Sequence, residues 1–438
     1  MVCFGIRDWS TSVLYHGLKW YPDGVNDPYA RRIADGVLPE LLAAHPAVMV
    51  VGPRAAGKTT TASRYAGSRV RLDREAEAVA FVADPDAALS RFAEPVLLDE
   101  WQAVPGVLGA VKRAVDDDRR PGRFVLTGSV RADLEADMWP GTGRLVRLGM
   151  QALNVREITA ATEGQNPIDV MATGDPTALT PPPAPPDLPG YLDLALRGGF
   201  PEPALRLEGR DRERWLDSYL EQLLTRDAVD LSGRDPARMA RYFEALAVNT
   251  AGIVTDSTIY EAAGVDRKTA LAYERLLTNL FVIDVVPAWL TNRLSRLVKT
   301  PKRYVTDPSL VGAALRVDVT SVLRDGDLIG RLLDTFVASQ LRPEIEATAS
   351  RPRVFHLRER NGRREIDLVT ELGAGRVVAV EVKAAAAPTR EDAVHLEWLR
   401  DRLGERFVSG VVLHTGPGAF SLGDRVAAVP IAALWSTR

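Results

Sequence analysis

Eight consecutive residues, Gly52 to Thr59, combine the residue types that a polyphosphate-binding loop requires. In such a loop the glycines let backbone N–H groups surround the phosphates, a lysine reaches the β- and γ-phosphates, and a hydroxyl binds Mg²⁺. The whole chain contains seven lysines, so a lysine inside this motif is hard to attribute to background composition. The motif predicts binding of ATP and Mg²⁺ by Gly52, Pro53, Arg54, Ala55, Ala56, Gly57, Lys58, Thr59 and Thr60.

A second element lies at the end of the apolar run that begins at Val96. The run predicts a buried strand that places Asp99 beside the Mg²⁺ bound by Thr59, and Glu100 beside the attacking water. A glutamate directly after the aspartate favours hydrolysis of ATP over phosphoryl transfer to a small molecule. The predicted metal ligands are therefore Thr59 and Asp99, and the predicted catalytic residues are Lys58 and Glu100.

Two later elements carry side chains that are suited to the same reaction. Thr127 and Ser129 end the next apolar run, where a polar group can position water against the γ-phosphate; a polar turn is the alternative. Arg144 ends the turn that begins at Gly141, and an arginine presented in this way can stabilise transition-state charge in the same chain or in a neighbouring subunit. Oligomerisation is compatible with the second arrangement. Because arginine is frequent in this chain, a surface role for Arg144 is the alternative.

A different constellation of charged residues lies near the C-terminus. Asp367 precedes the apolar run 377–380, which is followed by Glu381 and Lys383. Residues 381 and 383 face the same way on a strand, so two carboxylates can hold a divalent metal ion while the lysine assists an attacking water. This is the pattern of PD-(D/E)xK nucleases, and Asp334 is the best candidate for an additional acid on a preceding helix. The alternatives are a charge pattern on an exposed strand and a nuclease-like fold that binds without cutting.

The middle of the chain contains a predicted helix–turn–helix that is followed by a basic cluster. Segments 257–263 and 267–277 are predicted helices, with Asp266 as the N-cap of the second, and 281–285 is a predicted wing strand. Positive side chains beyond such a wing suit contact with the phosphates of double-stranded DNA. The alternative is a module that contacts a protein partner. The predicted DNA contacts are Arg293, Arg296, Lys299, Lys302 and Arg303.

The elements that must position these groups indicate an α/β fold. Short apolar runs at 47–51, 95–98 and 123–126 alternate with helical stretches, which is the pattern of a parallel sheet flanked by helices. Residues 191–288 are predicted to be mostly helical. Strand-like runs return at 353–357, 366–370, 377–382 and 407–413.

Composition limits the cellular context rather than the chemistry. The net charge of −3 gives no global argument for nucleic-acid binding, and a single cysteine, Cys3, is consistent with a reducing compartment. No apolar run approaches the roughly 18 residues of a membrane helix, and the N-terminus does not resemble a signal peptide. We therefore expect a cytoplasmic protein without a membrane partner.

Taken together, the nucleotide-site motifs resemble those of a family of bacterial and archaeal AAA-type ATPases. Three later segments are similar to signatures of the same family, namely Gly198–Glu202, Arg226-Asp227 and Lys302–Pro308. The resemblance covers most of the chain from about residue 28 onward. It implies a winged-helix part and a C-terminal domain similar to restriction endonucleases, and it implies no established physiological substrate.

The predicted organisation has four parts. Residues 1–27 form an N-terminal arm, 28–205 an AAA-type P-loop ATPase domain with a Pro-rich linker or insertion at 160–190, 206–322 a helical, winged-helix domain, and 323–438 a small α/β domain of the PD-(D/E)xK type. ATP hydrolysis is then expected to move a DNA- or partner-binding C-terminal region. The alternatives are an ATP-regulated DNA nuclease and, less well supported because of Glu100, a small-molecule kinase.

Overall fold

The computed structural model describes residues 29–130, 143–227, 235–289, 300–348, 350–359 and 363–436. The predicted N-terminal arm lies outside these ranges. In the part of the chain that the structure describes, no helix combines the length and the apolar character that crossing a membrane would require.

A sheet of five parallel strands occupies the N-terminal part, with the order β2-β3-β4-β1-β5. The three predicted strands are confirmed, whereas β2 and β5 were missed because Arg69, Arg71 and Arg147 interrupt their apolar pattern. The strands are Ala47–Val51 (β1), Ser68–Arg71 (β2), Val96–Asp99 (β3), Phe124–Gly128 (β4) and Leu145–Gly149 (β5).

Helices cover both faces of this sheet, which is why its central strands are almost continuously apolar. Val48 and Val50 of β1 pack on one face against the helices 34–44 and 58–63. Ala47 and Met49 point to the other face and pack in the cluster that contains the helices 75–83, 85–89 and 107–117. Because all strands are parallel, the loops after β1, β3 and β4 meet at one edge of the sheet. The helices are Ala34–Ala44 (α1), Lys58–Ser63 (α2), Glu75–Ala83 (α3), Pro85–Leu89 (α4) and Val107–Asp117 (α5).

Residues 160–190 differ from the surface linker that their composition predicts. Helix Pro167–Met171 (α7) lies within this segment, and its apolar residues are buried against the C-terminal part of the chain. The Ser409 hydroxyl donates to the Met171 carbonyl at 2.7 Å, and the Asn166 amide donates to the Glu344 carbonyl at 2.7 Å. The segment is therefore a packed connection, because Ile168 and Met171 supply apolar contacts between the prolines and glycines. It follows the short helix Val155–Ile158 (α6).

The described residues in the middle of the chain are mostly helical, as predicted, and two of their strands form an antiparallel hairpin. In this hairpin Val286 pairs with Lys302, and Ile283 pairs with Val305. Asp266 caps its helix as predicted, since its carboxylate accepts the Thr269 N–H at 3.0 Å. The elements are Leu188–Arg197 (α8), Pro201–Leu205 (α9), Gly209–Gln222 (α10), a π-helical turn Leu223–Asp227, Pro236–Val248 (α11), Asp256–Ala262 (α12), Arg267–Asn279 (α13), Ile283–Val286 (β6), Lys302–Val305 (β7), Ser309–Leu315 (α14) and Val319–Val322 (α15).

A mixed sheet of six strands forms the C-terminal part, with the order β12-β13-β11-β10-β9-β8. Alternate residues of its central strand face opposite sides. Val378 and Val380 pack in the cluster that contains the long helix Gly326–Ala347 (α16), whereas Val377 and Ala379 pack with Val394–Leu403 (α17). The four predicted strands are confirmed, and the last two were missed. The strands are Arg353–Arg358 (β8), Glu365–Glu371 (β9), Val377–Lys383 (β10), Phe407–His414 (β11), Phe420–Gly423 (β12) and Val426–Pro430 (β13).

Candidate functional site

The predicted phosphate loop connects β1 to α2 at the carboxyl edge of the first sheet. Two of its glycines are required by geometry. A Cβ at Gly52 would lie 1.9 Å from the Met150 carbonyl oxygen, and Gly57 has φ +90°, a conformation that disfavours side chains. The loop therefore approaches neighbouring backbone closely and still turns into a helix, as a phosphate-binding loop must.

Lys58 lies at the start of α2 and is almost entirely buried, with 4% of its surface exposed. Its ammonium group donates to the Pro53 carbonyl at 2.7 Å, and it has no ion pair with a carboxylate within the described residues. Burial lowers the pKa of Lys58 to about 8, although Glu100 and Asp99 oppose the shift. A cation that is desolvated in this way gains strongly from an anionic ligand.

Asp99 lies at the end of β3, beside the first hydroxyl of α2. Both Thr59 Oγ1 and Thr127 Oγ1 donate to its Oδ1 at 2.6 Å, and an Arg69 nitrogen lies 2.8 Å from its Oδ2. Burial favours the neutral acid, but the bonds from Thr127, Thr59 and Arg69 hold the pKa of Asp99 below its usual value. An ionised carboxylate next to a threonine hydroxyl is the hard oxygen donor set that suits Mg²⁺.

Glu100 follows Asp99 in a left-handed backbone conformation, φ 54° and ψ 52°. This conformation is costly for a residue with a side chain and is found preferentially at functional sites. The Gln102 amide donates to the Glu100 carboxylate, and Ser129 Oγ donates to the same oxygen at 3.3 Å. The carboxylate is thus held in one orientation. Sequence analysis missed Gln102, since an isolated glutamine after an Asp-Glu pair carries no pattern.

The two polar candidates after β4 occupy different positions. Thr127 is fully buried and donates its hydroxyl to Asp99, whereas Ser129 donates its hydroxyl to Glu100. The Glu100 backbone N–H also donates to Thr127 Oγ1 at 3.3 Å. Thr127 therefore fixes the metal-ligand candidate, and Ser129 is the one of the two that contacts the predicted water-polarising carboxylate.

Arg144 lies at the opposite edge of the sheet. It directly precedes β5, whose Leu145 pairs in parallel with Ala47 at the beginning of β1, whereas the phosphate loop follows the end of β1. A strand of this length separates the two edges by roughly 16 Å. The Arg144 guanidinium donates to Asp116 on α5 at 2.8 Å. This placement disagrees with a role of Arg144 toward a nucleotide bound by the same chain.

A second arginine, Arg32, supports the phosphate loop from outside. It is buried, and its guanidinium donates to the Ala56 carbonyl at 2.7 Å, to the Gln151 carbonyl at 2.7 Å and to Glu157 Oε1 at 3.0 Å. Arg32 thereby joins the loop to the segment after β5. Sequence analysis missed it because arginine is so frequent in this chain that a single one carries no signal.

Glu157 belongs to a capping box that connects the support of the phosphate loop with α16. Asn154 caps α6 by accepting from the Glu157 N–H, and Glu157 accepts from the Asn154 N–H at 3.0 Å. The Asn154 amide donates to Glu344 at 3.2 Å, and the Val155 N–H donates to the Gln340 side chain at 2.7 Å. Both Gln340 and Glu344 lie on α16. The short turn at Asn154 therefore contacts both Arg32, which binds the phosphate loop, and helix α16.

A pocket of about 180 Å³ adjoins the phosphate loop. One wall comes from the loop and α2, and the other from the residues before α1 and from α9. Helix α10 also contacts the phosphate loop, since the Tyr219 hydroxyl donates to the Arg54 carbonyl at 3.2 Å. The pocket is lined in part by Tyr29, Ala30, Gly57, Thr60, Pro201 and Leu205.

The C-terminal acids surround a lysine. The Lys302 ammonium lies 2.5 Å from Asp334 Oδ2 and 2.8 Å from Asp367 Oδ1. Tyr304 donates its hydroxyl to Asp334 Oδ1 at 3.1 Å, and the Val382 N–H donates to Asp367 Oδ2 at 2.9 Å. Burial alone would lower the pKa of Lys302, but Asp334 and Asp367 raise it well above its ordinary value. We call this group of side chains the C-terminal centre.

Glu381 and Lys383 form a neighbouring pair at 2.8 Å on β10. Glu381 is buried, and its second oxygen, Oε2, has no hydrogen-bond partner. Burial, and then the Asp367 charge, raise the pKa of Glu381 to about 8. Within the described ranges, no group of three or more His, Cys, Asp or Glu side chains is arranged to hold a metal ion.

The predicted basic cluster is only partly described, and the described part differs from the prediction. Lys302 and Arg303 are buried rather than exposed, and Arg303 forms ion pairs with Asp256 of α12 and Glu274 of α13. Their charges are therefore compensated inside the protein, so neither is available to a DNA phosphate. Arg293, Arg296 and Lys299 lie outside the described residues.

Three family models match separate parts of the chain. An AAA domain matches residues 44–159, a domain of unknown function (DUF8612) matches residues 189–321, and a second domain of unknown function (DUF4143) matches residues 329–434. The first match contains the phosphate loop and the residues that surround Asp99 and Glu100.

Similar proteins of comparable length come from mycobacteria. The uncharacterized protein Rv2008c of Mycobacterium tuberculosis and the uncharacterized protein Mb2031c of Mycobacterium bovis are each 26% identical to this chain over 405 residues, which is 91% of this chain and 83% of theirs. Among solved structures, the Walker-type ATPase PABY2304 of Pyrococcus abyssi has a TM-score of 0.36 and 16% sequence identity, covering 65% of this chain and 94% of that one. The match of residues 44–159 to an AAA domain agrees with the geometry at Lys58 and Asp99, which is that of a P-loop and its metal-binding carboxylate.

Proposed function

We propose that the chain binds ATP with Mg²⁺, hydrolyses it, and uses the reaction to move its C-terminal region. The observation that carries the first part is the pair of hydroxyls, Thr59 and Thr127, on one oxygen of Asp99, next to a buried lysine that has no carboxylate partner within the described residues. Such a lysine is poised for an anion, and the hydroxyl–carboxylate pair is suited to the accompanying cation.

Each side chain then has a distinct role. Lys58 binds the β- and γ-phosphates, and Thr59 and Asp99 would hold the Mg²⁺, which neutralises phosphate charge when it is bound. Glu100 takes a proton from the attacking water, while Gln102 and Ser129 hold its carboxylate in place. The pocket beside Thr60 and Tyr29 is suited to the nucleoside, since it opens directly from the phosphate loop.

Two substitutions test this assignment. Lys58→Ala should weaken binding of a fluorescent ATP analogue, whereas Glu100→Gln should preserve binding and lower phosphate release by about 10²- to 10⁴-fold, because the amide keeps the shape and loses the basicity. The exposed Lys268→Ala is the matched control and should change neither quantity. Wild-type turnover by Glu100→Gln protein would show that another group activates the water.

Of the two catalytic arrangements considered for Arg144, the one across a subunit boundary agrees better with its position; its ion pair with Asp116 is also compatible with a surface role. Since it lies at the edge of the sheet remote from its own phosphate loop, we propose that it stabilises transition-state charge on a neighbouring subunit. Phosphate release per chain should then rise with protein concentration. Mixing Arg144→Ala with Glu100→Gln protein should restore part of the activity, since a mixed interface can pair an intact arginine with an intact Glu100. Concentration-independent turnover by a monomer would contradict this role.

The coupling between ATP and the C-terminal region follows the capping box. Arg32 contacts the loop carbonyl of Ala56 and also Glu157, and the Asn154 end of the same turn contacts α16. Movement of the loop on ATP binding or hydrolysis would therefore be transmitted to α16, which packs on the C-terminal sheet. Division into an ATPase domain (28–205), a winged-helix domain (206–322) and an α/β domain (323–438) of the PD-(D/E)xK type remains part of the proposal.

The partner of this region is proposed to be DNA, with a protein as the alternative. Because Lys302 and Arg303 are buried, phosphate contact depends on Arg293, Arg296 and Lys299. Changing these three together to Ala should lower the salt dependence of DNA affinity by about one unit of log–log slope for each contact removed. Exchanging Lys302 or Arg303 should alter folding stability instead of that slope. Absence of DNA binding at roughly 50 mM salt would favour the protein partner.

A further inference from the structure

The C-terminal centre contains a cation that belongs to the chain itself. We propose that Lys302 is the resident cation between Asp334 and Asp367, and that it excludes a divalent metal ion from this centre in the folded protein. The predicted metal-dependent nuclease chemistry is then blocked in this conformation. The inference concerns the C-terminal centre and does not depend on ATP hydrolysis at the P-loop.

The hydrogen bonds of the two carboxylates carry the inference. One oxygen of each contacts the Lys302 ammonium, the other oxygen of Asp334 accepts from Tyr304, and the other oxygen of Asp367 accepts from the Val382 backbone. All four oxygens therefore have partners. A Mg²⁺ ion needs oxygen ligands at about 2.0–2.1 Å in an octahedron, which this arrangement does not provide while the ammonium lies between the acids.

The charge balance points the same way. Lys302 and Lys383 face three acids, and the third acid, Glu381, is paired with Lys383. Adding a divalent ion without removing an ammonium would leave excess positive charge in a desolvated site, which is unfavourable.

The strand that carries Lys302 is also fixed through its opposite face, by the ion pairs of the next residue, Arg303. Residues 302 and 303 point to opposite faces of β7, so when Lys302 reaches the acids, Arg303 reaches Asp256 and Glu274 on the two helices behind. The hairpin is thereby ion-paired on both faces. The lysine comes from the part of the chain matched at 189–321, and the acids come from the part matched at 329–434. The exclusion of metal is thus an interaction between two regions of the chain.

Binding of Mn²⁺ to nucleotide-free, full-length protein tests the proposal, with free Mn²⁺ measured by electron paramagnetic resonance. Wild-type protein and Asp367→Asn protein should bind Mn²⁺ equally. Lys302→Met protein should gain one additional Mn²⁺, and Lys302→Met/Asp367→Asn protein should lose it. Mn²⁺ binding by the wild type that Asp367→Asn removes would overturn the proposal, as would Mn²⁺-dependent nicking of plasmid DNA that requires Asp367.

A folded Lys302→Met protein that gains no Mn²⁺ would also overturn it. If removing the lysine prevents folding, restoration of folding by Mn²⁺ supports the proposal, since the metal then replaces the missing cation. If it does not restore folding, Lys302→Met/Asp334→Asn protein decides the question, because it loses one buried charge of each sign and retains Asp367 and Glu381. A Mn²⁺ site in that variant that requires Asp367 supports exclusion by Lys302, and its absence refutes it.

Discussion

A buried lysine lies in each of the two candidate sites, at the phosphate loop and in the C-terminal centre, and the surroundings of the two lysines are opposite in kind. Lys58 is 4% exposed and donates to a carbonyl, whereas Lys302 is 1% exposed and lies between two carboxylates. Burial lowers the pKa of Lys58 to about 8; for Lys302 it acts in the same direction, but the two acids raise the pKa well above normal. The first lysine lacks a compensating anion that a ligand can supply, and the second already has its anions.

This difference separates a binding site from a structural contact. A desolvated cation without a counter-charge costs folding free energy that an anionic ligand recovers. A cation that is paired on two sides is costly to remove alone, because its acids would stay buried without a partner, and it presents no uncompensated charge to a ligand. Burial of a lysine is therefore uninformative until its partners are known.

The largest expected effect is on folding stability. Lys302→Met should lower the free energy of unfolding by about 3–5 kcal/mol, because it leaves two buried carboxylates without their cation. Lys58→Met should leave the stability of nucleotide-free protein unchanged or raise it, since it removes a desolvated charge. Urea unfolding monitored by circular dichroism measures both. If the two substitutions destabilise equally, the proposed distinction between the lysines is incorrect.

The next effect is on the pH dependence of ATP affinity. Above pH 8, nucleotide-free protein loses the Lys58 proton, whereas the ATP complex requires it, so the dissociation constant should rise with pH, by at most about tenfold per unit. Lys58→Arg protein keeps its charge at these pH values and should show no such rise, although its absolute affinity will differ. A flat profile for the wild type would mean that Lys58 remains protonated without nucleotide.

A third effect concerns the hydroxyl beside Lys302. Tyr304→Phe removes one hydrogen bond to Asp334 and leaves the lysine contact in place, so the expected loss of stability is about 1–3 kcal/mol. In the Lys302→Met background the same change should cost more, because the hydroxyl is then one of the few remaining partners of that carboxylate. Equal costs in both backgrounds would show that Tyr304 and Lys302 stabilise Asp334 independently.

Much of the fold could be predicted from the sequence, and several of the missed strands share a physical origin. Runs such as Val96 to Leu98 are buried on both sides and are apolar throughout, so they were recognised as strands. Strand β2 carries Arg69 and Arg71, and Arg69 forms an ion pair with Asp99. Strand β7 carries Lys302 and Arg303, which are buried because both form ion pairs. Hydrophobic periodicity does not identify strands that bury charged residues.

The candidate site was predictable where one continuous segment carries the chemistry, as at Gly52 to Thr59. It was not predictable where the partner is distant in sequence. Arg32 reaches Glu157, and Lys302 reaches Asp334 and Asp367, and no local spacing indicates such pairs. The pattern of acids near the C-terminus predicted a divalent metal ion between the carboxylates, and it did not reveal that Lys302 lies between Asp334 and Asp367.

The capping box at Asn154 has a consequence for how a partner can be found. Its turn contacts the arginine that supports the phosphate loop and also the helix that carries Asp334. If ATP alters the affinity of any partner for α16 through this turn, thermodynamic reciprocity requires that partner to alter the affinity for ATP by the same factor. A change in the ATP dissociation constant would therefore report a partner whose own binding is never measured.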